Sequence, residues 1–327
     1  MIGLGWWGKK MLAVLASAPQ DIRVVRAVEP DIESVRALCA DKALPLSADF
    51  ADALADPAVE AVVLATPHAL HGGQIERAVA AGKHVFCEKP LALTKAGAEK
   101  AVRLCAEAGL VLGMGHERRW EPPIADMLAK ADAGELGRIH QIEANFSHDK
   151  FLALDRDNWR LKADQAPAGG MTATGIHLLD LSVRLLGPAE TVLCICEKLS
   201  SDLPQGDTVG AYVKFRGGGT SYVSASLANP FMSRFTVYGA KGWIDIRDKA
   251  HVEAPEGWVV TSAMRGGQIA TKEVPPAEPV KDNLVSFARA VRGRESYPIT
   301  AQHLVDNIAL LEAVFKSALS GRIEAVA

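Results

Sequence analysis

The sequence predicts an α/β chain in two parts. Residues 1–118 read as a doubly wound parallel sheet, and residues 119–327 as an α+β domain with a mostly antiparallel open sheet. Three observations carry this. From Ile2 to Gly115 short apolar runs alternate with helix-patterned stretches, the grammar of βαβ units. Beyond Arg119, β-rich runs recur at hairpin spacing with glycine-bearing turns between them. The chain's 327 residues also exceed the roughly 250–300 at which one core stops growing, so two domains are expected.

In the first part the strands are residues 22–28, 59–66, 84–87 and 110–115. Asp31 and Thr94 stand where helix N-caps belong, and Gly82 and Gly109 where helices end in a left-handed residue. Only Met1 and Ile2 precede Gly3, so the first strand, which such a sheet places at its centre, reads as truncated. In the second part a helix over 122–133 leads to a strand at 139–146, a long polar segment to Gly170 and a helix around 175–186. Strands at 209–215, 221–227, 234–238 and 243–246 follow, separated by turns such as Gly217-Gly218-Gly219 and Ala240-Lys241-Gly242. Pro275, Pro276 and Pro279 then introduce two helices, 283–292 capped by Asp282 and 301–320 capped by Thr300. Val223, Ala225 and Leu227 alternate with Tyr222, Ser224 and Ser226, so the sheet has an apolar side that must be covered.

Composition excludes several classes. A hydrophobic content of 49%, a charged content of 23% and a net charge of −3 describe an ordinary soluble globule and give no electrostatic reason for nucleic acid or an anionic membrane surface. No run approaches the ~18 apolar residues of a membrane helix, and the N-terminus lacks a signal-peptide layout, so the expected setting is cytoplasmic. Cys39, Cys87, Cys105, Cys194 and Cys196 have neither disulfide nor zinc spacing and read as small buried hydrophobes. His68 and His71 are three apart, but lack a nearby carboxylate or thiolate; no metal is expected.

The chemistry begins at Gly3-Leu4-Gly5-Trp6-Trp7-Gly8, a G-x-G-x-x-G before a helix, with Glu29 twenty-one residues beyond Gly8. Glycines here permit a tight turn, close approach of a pyrophosphate and close helix–strand packing, while the helix N-terminus offers unpaired N–H groups to the anion. This is the dinucleotide-binding fingerprint of a Rossmann fold. An acid at Glu29 can accept both ribose hydroxyls and repels a 2′-phosphate, so NAD is expected over NADP. Arg26, within its strand, reads as structural, and Arg36 as a solvated helical charge.

Glu88-Lys89-Pro90 after a strand, together with Gly169-Gly170-Met171-Thr172-Ala173-Thr174-Gly175-Ile176-His177-Leu178-Leu179-Asp180, resembles the Gfo/Idh/MocA oxidoreductases. Ala65-Thr66-Pro67 with His71, Asn158-Trp159-Arg160 and Tyr238-Gly239-Ala240-Lys241-Gly242 extend the resemblance over nearly the whole chain. It implies that Lys89 is catalytic, that Pro90 shapes a cis or kinked turn, and that Thr66, Pro67, His71 and Glu88 join Gly3, Gly5, Trp6, Trp7, Gly8 and Glu29 around the cofactor. Chemistry supports Lys89 independently: oxidising an alcohol requires removal of its hydroxyl proton, and a cationic nicotinamide and partial burial both lower a lysine's pKa. His177 is the second acid–base candidate, with Asp180 one turn on and able to fix its tautomer. Many members of the family carry an aspartate where this chain has Ala173, so a three-member relay is not expected. Arg118, Trp159, Arg160, Thr174 and Asp180 are the substrate-binding candidates; Arg119, His148, Lys150 and Lys162 lie in the same segments. One aromatic and several donors suit a polyhydroxylated substrate.

The reading is an NAD-dependent oxidoreductase acting on a sugar, an inositol-like polyol or a related hydroxy compound, assembled as a homodimer or homotetramer through the C-terminal sheet. Its rivals are a non-catalytic NAD-dependent sensor and an NAD-assisted eliminating or glycoside-cleaving enzyme.

Overall fold

In the computed structural model, which describes residues 1–18 and 20–327, the alternation of the first hundred residues becomes a parallel sheet. Its elements are α1 (Trp6–Leu15), β1 (Ala27–Val28), α2 (Arg36–Asp41), β2 (Leu46–Ser47), α3 (Phe50–Ala55), β3 (Ala61–Leu64), α4 (His71–Ala80), β4 (His84–Cys87), α5 (Lys95–Glu107) and β5 (Leu112–Met114). Strand β1 pairs with β2, and β3, β4 and β5 pair in that order, all parallel. Ile2 bridges Val28 on one side and Leu64 on the other. The order is therefore β2, β1, Ile2, β3, β4, β5, which reverses direction beside Gly3 and puts a ligand crevice at the carboxyl ends of the strands.

Two expectations change here. The strand foreseen at 22–28 pairs only at Ala27 and Val28, where Met1 N donates to Arg26 O and Val28 N to Met1 O. Residues 22–26 instead line a cleft with residues 58–63. Asp31 does not cap a helix. Its carboxylate accepts from Ser34 N in a turn, and α2 begins only at Arg36. Thr94 does cap α5, accepting from Gly97 N, and Gly82 and Gly109 both have φ of +67°.

The later chain supplies α6 (Pro122–Asp132), β6 (Ile139–Ser147), α7 (Ile176–Leu186), β7 (Ala189–Glu197), β8 (Thr208–Phe215), β9 (Thr220–Ser226), β10 (Met232–Gly239), β11 (Gly242–Asp248), β12 (Trp258–Met264), β13 (Ala270–Val274), α8 (Pro279–Val291), α9 (Ala301–Ser320) and β14 (Glu324–Ala325). Nine strands form one sheet in the order β13, β12, β11, β10, β6, β9, β8, β7, β14. All neighbours are antiparallel except β6 and β9. The alternation in β9 sorts as expected: Val223, Ala225 and Leu227 are buried, whereas Tyr222 is 48% exposed on the opposite face. Phe215, Phe235, Val237 and Ile246 are buried likewise, each such side chain stabilising by about 1.5–3 kcal/mol. Asp282 is not a cap either; α8 opens at Pro279 and Asp282 lies in its first turn.

The chain separates into a first unit, Met1–Glu117 with Glu278–Leu304, and a second, Arg118–Ala277 with Val305–Ala327. Helix α8 thus belongs with the parallel sheet. Phe287 meets Phe86 edge-on at 5.6 Å, Tyr297 Oη donates to Met114 O, and a side chain at Gly113 would collide with both phenyl rings. Among the described residues, no helix is long and apolar enough to cross a membrane.

Candidate active site

In the first unit the fingerprint glycines do different work. Gly3 has φ of +84°, and a Cβ there would lie 2.6 Å from Ala65 O. A Cβ on Gly8 would lie 2.1 Å from Gly3 O, so this residue lets α1 pack against its own strand. Gly5 would meet nothing within 4 Å: it faces open space directly before α1, whose N-cap carries no capping side chain. Open approach plus uncapped N–H groups fit a pyrophosphate. Trp6 is exposed beside this turn, and Trp7 packs edge-on to it at 6.1 Å. Glu29 follows β1 with one carboxylate oxygen accepting from Leu4 N at 2.7 Å, so the acid is tied to the fingerprint loop itself.

The turn after β4 lies in the same unit. Glu88 N donates to Leu64 O, the Lys89-Pro90 peptide is cis, and Glu88 is buried. Burial pushes the Glu88 carboxyl up to about 7, against the lowering pull of the Trp7 indole, whose N–H stops short of full hydrogen-bond geometry, and of the Lys89 cation. Gly115 makes room for this carboxyl; a Cβ there would lie 2.5 Å from it. Thr66 Oγ1 donates to Gln74 Oε1. His71 is fully buried, Nδ1 2.8 Å from Pro90 O and Nε2 3.0 Å from Thr66 O, with burial holding its pKa below the ordinary value. It links the Thr66-Pro67 loop to the turn bearing Lys89, and its ring addresses backbone where cofactor contact was expected.

In the second unit, Gly169 and Gly170 bring the chain against β9 and the loop before β8: Cβ atoms there would lie 2.4 Å from Gly206 O and 2.7 Å from Ala225 Cβ. A π-helical turn, Met171–Gly175, then feeds α7, a local widening often found at functional sites. His177 lies on the first turn of α7, buried, 6.5 Å from the Phe146 ring. Three of the substrate candidates engage the protein's own groups. Both oxygens of Asp180 accept from Arg119, each at 2.7 Å, and the pair is buried. Thr174 Oγ1 is also turned inward, 2.7 Å from Phe146 O and 3.1 Å from Gly170 O. Arg118 is buried in a structural knot, donating to Ser233 and Asp248 and lying over Phe146 at 5.3 Å. Trp159 and Arg160 are half-buried and stacked, the guanidinium 4.4 Å from the ring, and burial lowers the Arg160 pKa to about 10. Ala173 packs against the apolar cluster of Phe151, Leu161, Leu203 and Leu227, surroundings in which a carboxylate would be buried among hydrocarbon.

Together, the reversed-order parallel sheet, the glycine cradle and the turn carrying Lys89 define a dinucleotide-binding oxidoreductase. Residues 1–116 match the family model described as oxidoreductase family, NAD-binding Rossmann fold, and residues 124–245 the GFO/IDH/MocA C-terminal domain. The chain belongs to the Gfo/Idh/MocA oxidoreductase family. It is 31% identical over 271 residues to 1,5-anhydro-D-fructose reductase of Ensifer adhaerens, covering 82% of this chain and 80% of that one. It is 25% identical over 291 residues to an NADP-dependent scyllo-inositol 2-dehydrogenase of Bacillus subtilis, covering 82% and 79%. Levoglucosan dehydrogenase in complex with NADH shares the fold at a TM-score of 0.86 and 19% identity, over 100% and 98% of the two chains.

Proposed function

We propose that this enzyme transfers a hydride between nicotinamide and a hydroxyl or carbonyl carbon of a sugar or cyclic polyol, with NAD preferred to NADP. The observation that carries the reading is the Glu88-Lys89-Pro90 turn at the carboxyl end of β4, in the same unit as the glycine cradle. Bound nicotinamide supplies the hydride acceptor or donor. Lys89 carries the hydroxyl proton, His177 acts as acid–base or orienting partner, and Trp159 and Arg160 contribute substrate contacts. Glu29, placed beside Leu4, supports the NAD preference through the ribose diol, although relatives divide between the two cofactors. The first part of the chain holds cofactor and the second holds substrate and assembles the oligomer. A dimer or tetramer through the outer sheet face is supported by exposed Tyr212 and Tyr222, paired in register. Five free thiols support a cytoplasmic setting.

The names of the relatives support turnover over the sensor and elimination readings, and they suggest assay substrates. A panel of aldoses, anhydrohexoses and inositols, run in both directions with each cofactor and followed by reduced-nicotinamide absorbance, tests the proposal. Turnover with NAD on at least one member is expected. Calorimetric NAD binding without turnover on any member would favour the sensor, and an unsaturated product would favour elimination. Light scattering should give a dimer or tetramer at micromolar concentration.

A further inference from the structure

In the first unit Lys89 stands between two backbone anchors. Glu88 N, one residue before it, donates to Leu64 O at the end of β3, 2.9 Å away. Pro90 O, one residue after it, lies 2.8 Å from Nδ1 of His71. His71 is the first residue of α4 and is fully buried, so this contact is shielded from water. Its other ring nitrogen, Nε2, lies 3.0 Å from Thr66 O in the loop that leaves β3. One imidazole therefore faces the loops that follow two neighbouring strands of the parallel sheet, β3 and β4.

Both oxygens that meet the ring are carbonyls, which only accept. A neutral imidazole has one N–H and satisfies one of them; holding both at once requires the imidazolium. Burial keeps the His71 pKa below its ordinary value, so the ring is neutral at neutral pH, and its tautomer decides which segment it holds. Two observations favour a proton on Nδ1. The Nδ1 contact is the shorter of the two. Thr66 is also tied to α4 without the imidazole, because its Oγ1 donates to Gln74 Oε1 at 2.6 Å, one helical turn beyond His71.

We infer that His71 is a positioning residue: its Nδ1–H, donated to Pro90 O, fixes the turn that carries Lys89 and so sets where the lysine amino group meets the substrate hydroxyl. The inference rests on the oxidoreductase reading above, with Lys89 as its proton carrier. Misplacing a catalytic group by about 1 Å is enough to cost on the order of 10²-fold in rate. A buried bond to the backbone one residue from Lys89 therefore has leverage on turnover, with both nitrogens of the ring turned to main chain.

The test is steady-state kinetics, NAD titration and thermal melting of the full-length enzyme on its best panel substrate, with His71→Ala, His71→Asn and His71→Gln, each also made in the Lys89→Ala background. The amide nitrogen of asparagine takes the place of Nδ1 and that of glutamine the place of Nε2, so these two variants keep different bonds. His71→Ala should lower kcat roughly 10–100-fold, with substrate KM and NAD affinity within about threefold. His71→Asn should recover most of that loss, and His71→Gln little of it. In the Lys89→Ala background, His71→Ala should cost less than about twofold, because the group it positions is gone. Wild-type turnover with kcat unaltered in His71→Ala, or recovered as well by His71→Gln as by His71→Asn, overturns the inference alone. An equal loss in the Lys89→Ala background also overturns it, as does a joint fall in kcat, NAD affinity and melting temperature, which leaves His71 as a packing residue. If His71→Ala fails to fold, the asparagine and glutamine variants decide. Parental turnover in Lys89→Ala, or absence of wild-type turnover on every panel member, overturns the underlying reading and this inference with it.

Discussion

Replacing Asp180 with alanine removes the carboxylate from a buried guanidinium. Arg119 and Asp180 side chains are 6% and 2% exposed, and two 2.7 Å hydrogen bonds join them in a fork. Breaking such a pair leaves an uncompensated charge out of water and costs about 3–5 kcal/mol, a large share of the ~5–15 kcal/mol that holds a domain folded. At roughly 2–4 °C per kcal/mol for a domain of this size, the melting temperature should fall by roughly 6–20 °C. Removing both charges is a different perturbation. Arg119→Met with Asp180→Leu exchanges the pair for hydrocarbon of similar reach, and most of the stability should return. Thermal melts followed by circular dichroism, with substrate KM measured well below the transition, separate structure from recognition. If Asp180→Ala melts within a few degrees of the parent while its sugar KM rises tenfold, the ion pair is incidental and Asp180 binds substrate after all.

Other perturbations reach different parts of the molecule. Lys89→Ala should lower turnover at least ~100-fold with NAD affinity nearly intact, and an active variant removes Lys89 from the chemistry. Gly8→Ala drives a methyl group into Gly3 O, so calorimetry should show NAD affinity reduced ~10-fold or more; parental affinity would contradict the close approach. Glu29→Ala should narrow the NAD-over-NADP preference, measured by titrating both cofactors, and an unchanged ratio would remove Glu29 from ribose recognition. Asp207 gives the pH dependence. Burial alone would raise its carboxyl, but N–H groups of Leu199 and Ser200 and hydroxyls of Thr208 and Ser201 hold it at about 2 against an ordinary 3.8. Its contribution, about 2 kcal/mol at about 1.4 per pKa unit, is intact above about pH 4 and lost as pH falls toward 2. Urea unfolding across that window should show the loss, and Asp207→Asn should flatten it.

Sequence patterning revealed the parts of the fold and site that local rules govern. The fingerprint glycines declare their backbone needs, the alternation in β9 declares its buried face, and the Glu88-Lys89-Pro90 turn announces a site at the end of its strand. Strand β13 was missed because Ala270–Val274 is a polar, exposed edge strand with no apolar alternation to betray it. Asp180 shows what spacing omits: helical periodicity offers His177 as its neighbour, while Arg119, 61 residues earlier, reaches it through the fold. Thr174 followed the same course, its hydroxyl drawn to Phe146 O, 28 residues away. The contact between His71 and Pro90 O spans 19 residues and forms no motif, so nothing short of the folded chain assembles it.

The bond from Leu4 N to Glu29 constrains how cofactor choice can change. A side chain at position 29 that welcomes a 2′-phosphate must shed its negative charge, and in doing so it withdraws the acceptor that braces the loop around the pyrophosphate. An arginine would offer donors to a donor. A glutamine, of the same reach as glutamate, keeps an oxygen for Leu4 N while ceasing to repel phosphate. If NAD is the preferred cofactor, as proposed, redesign toward NADP is a two-requirement problem at a single residue, and neutral acceptors at position 29 would precede basic ones.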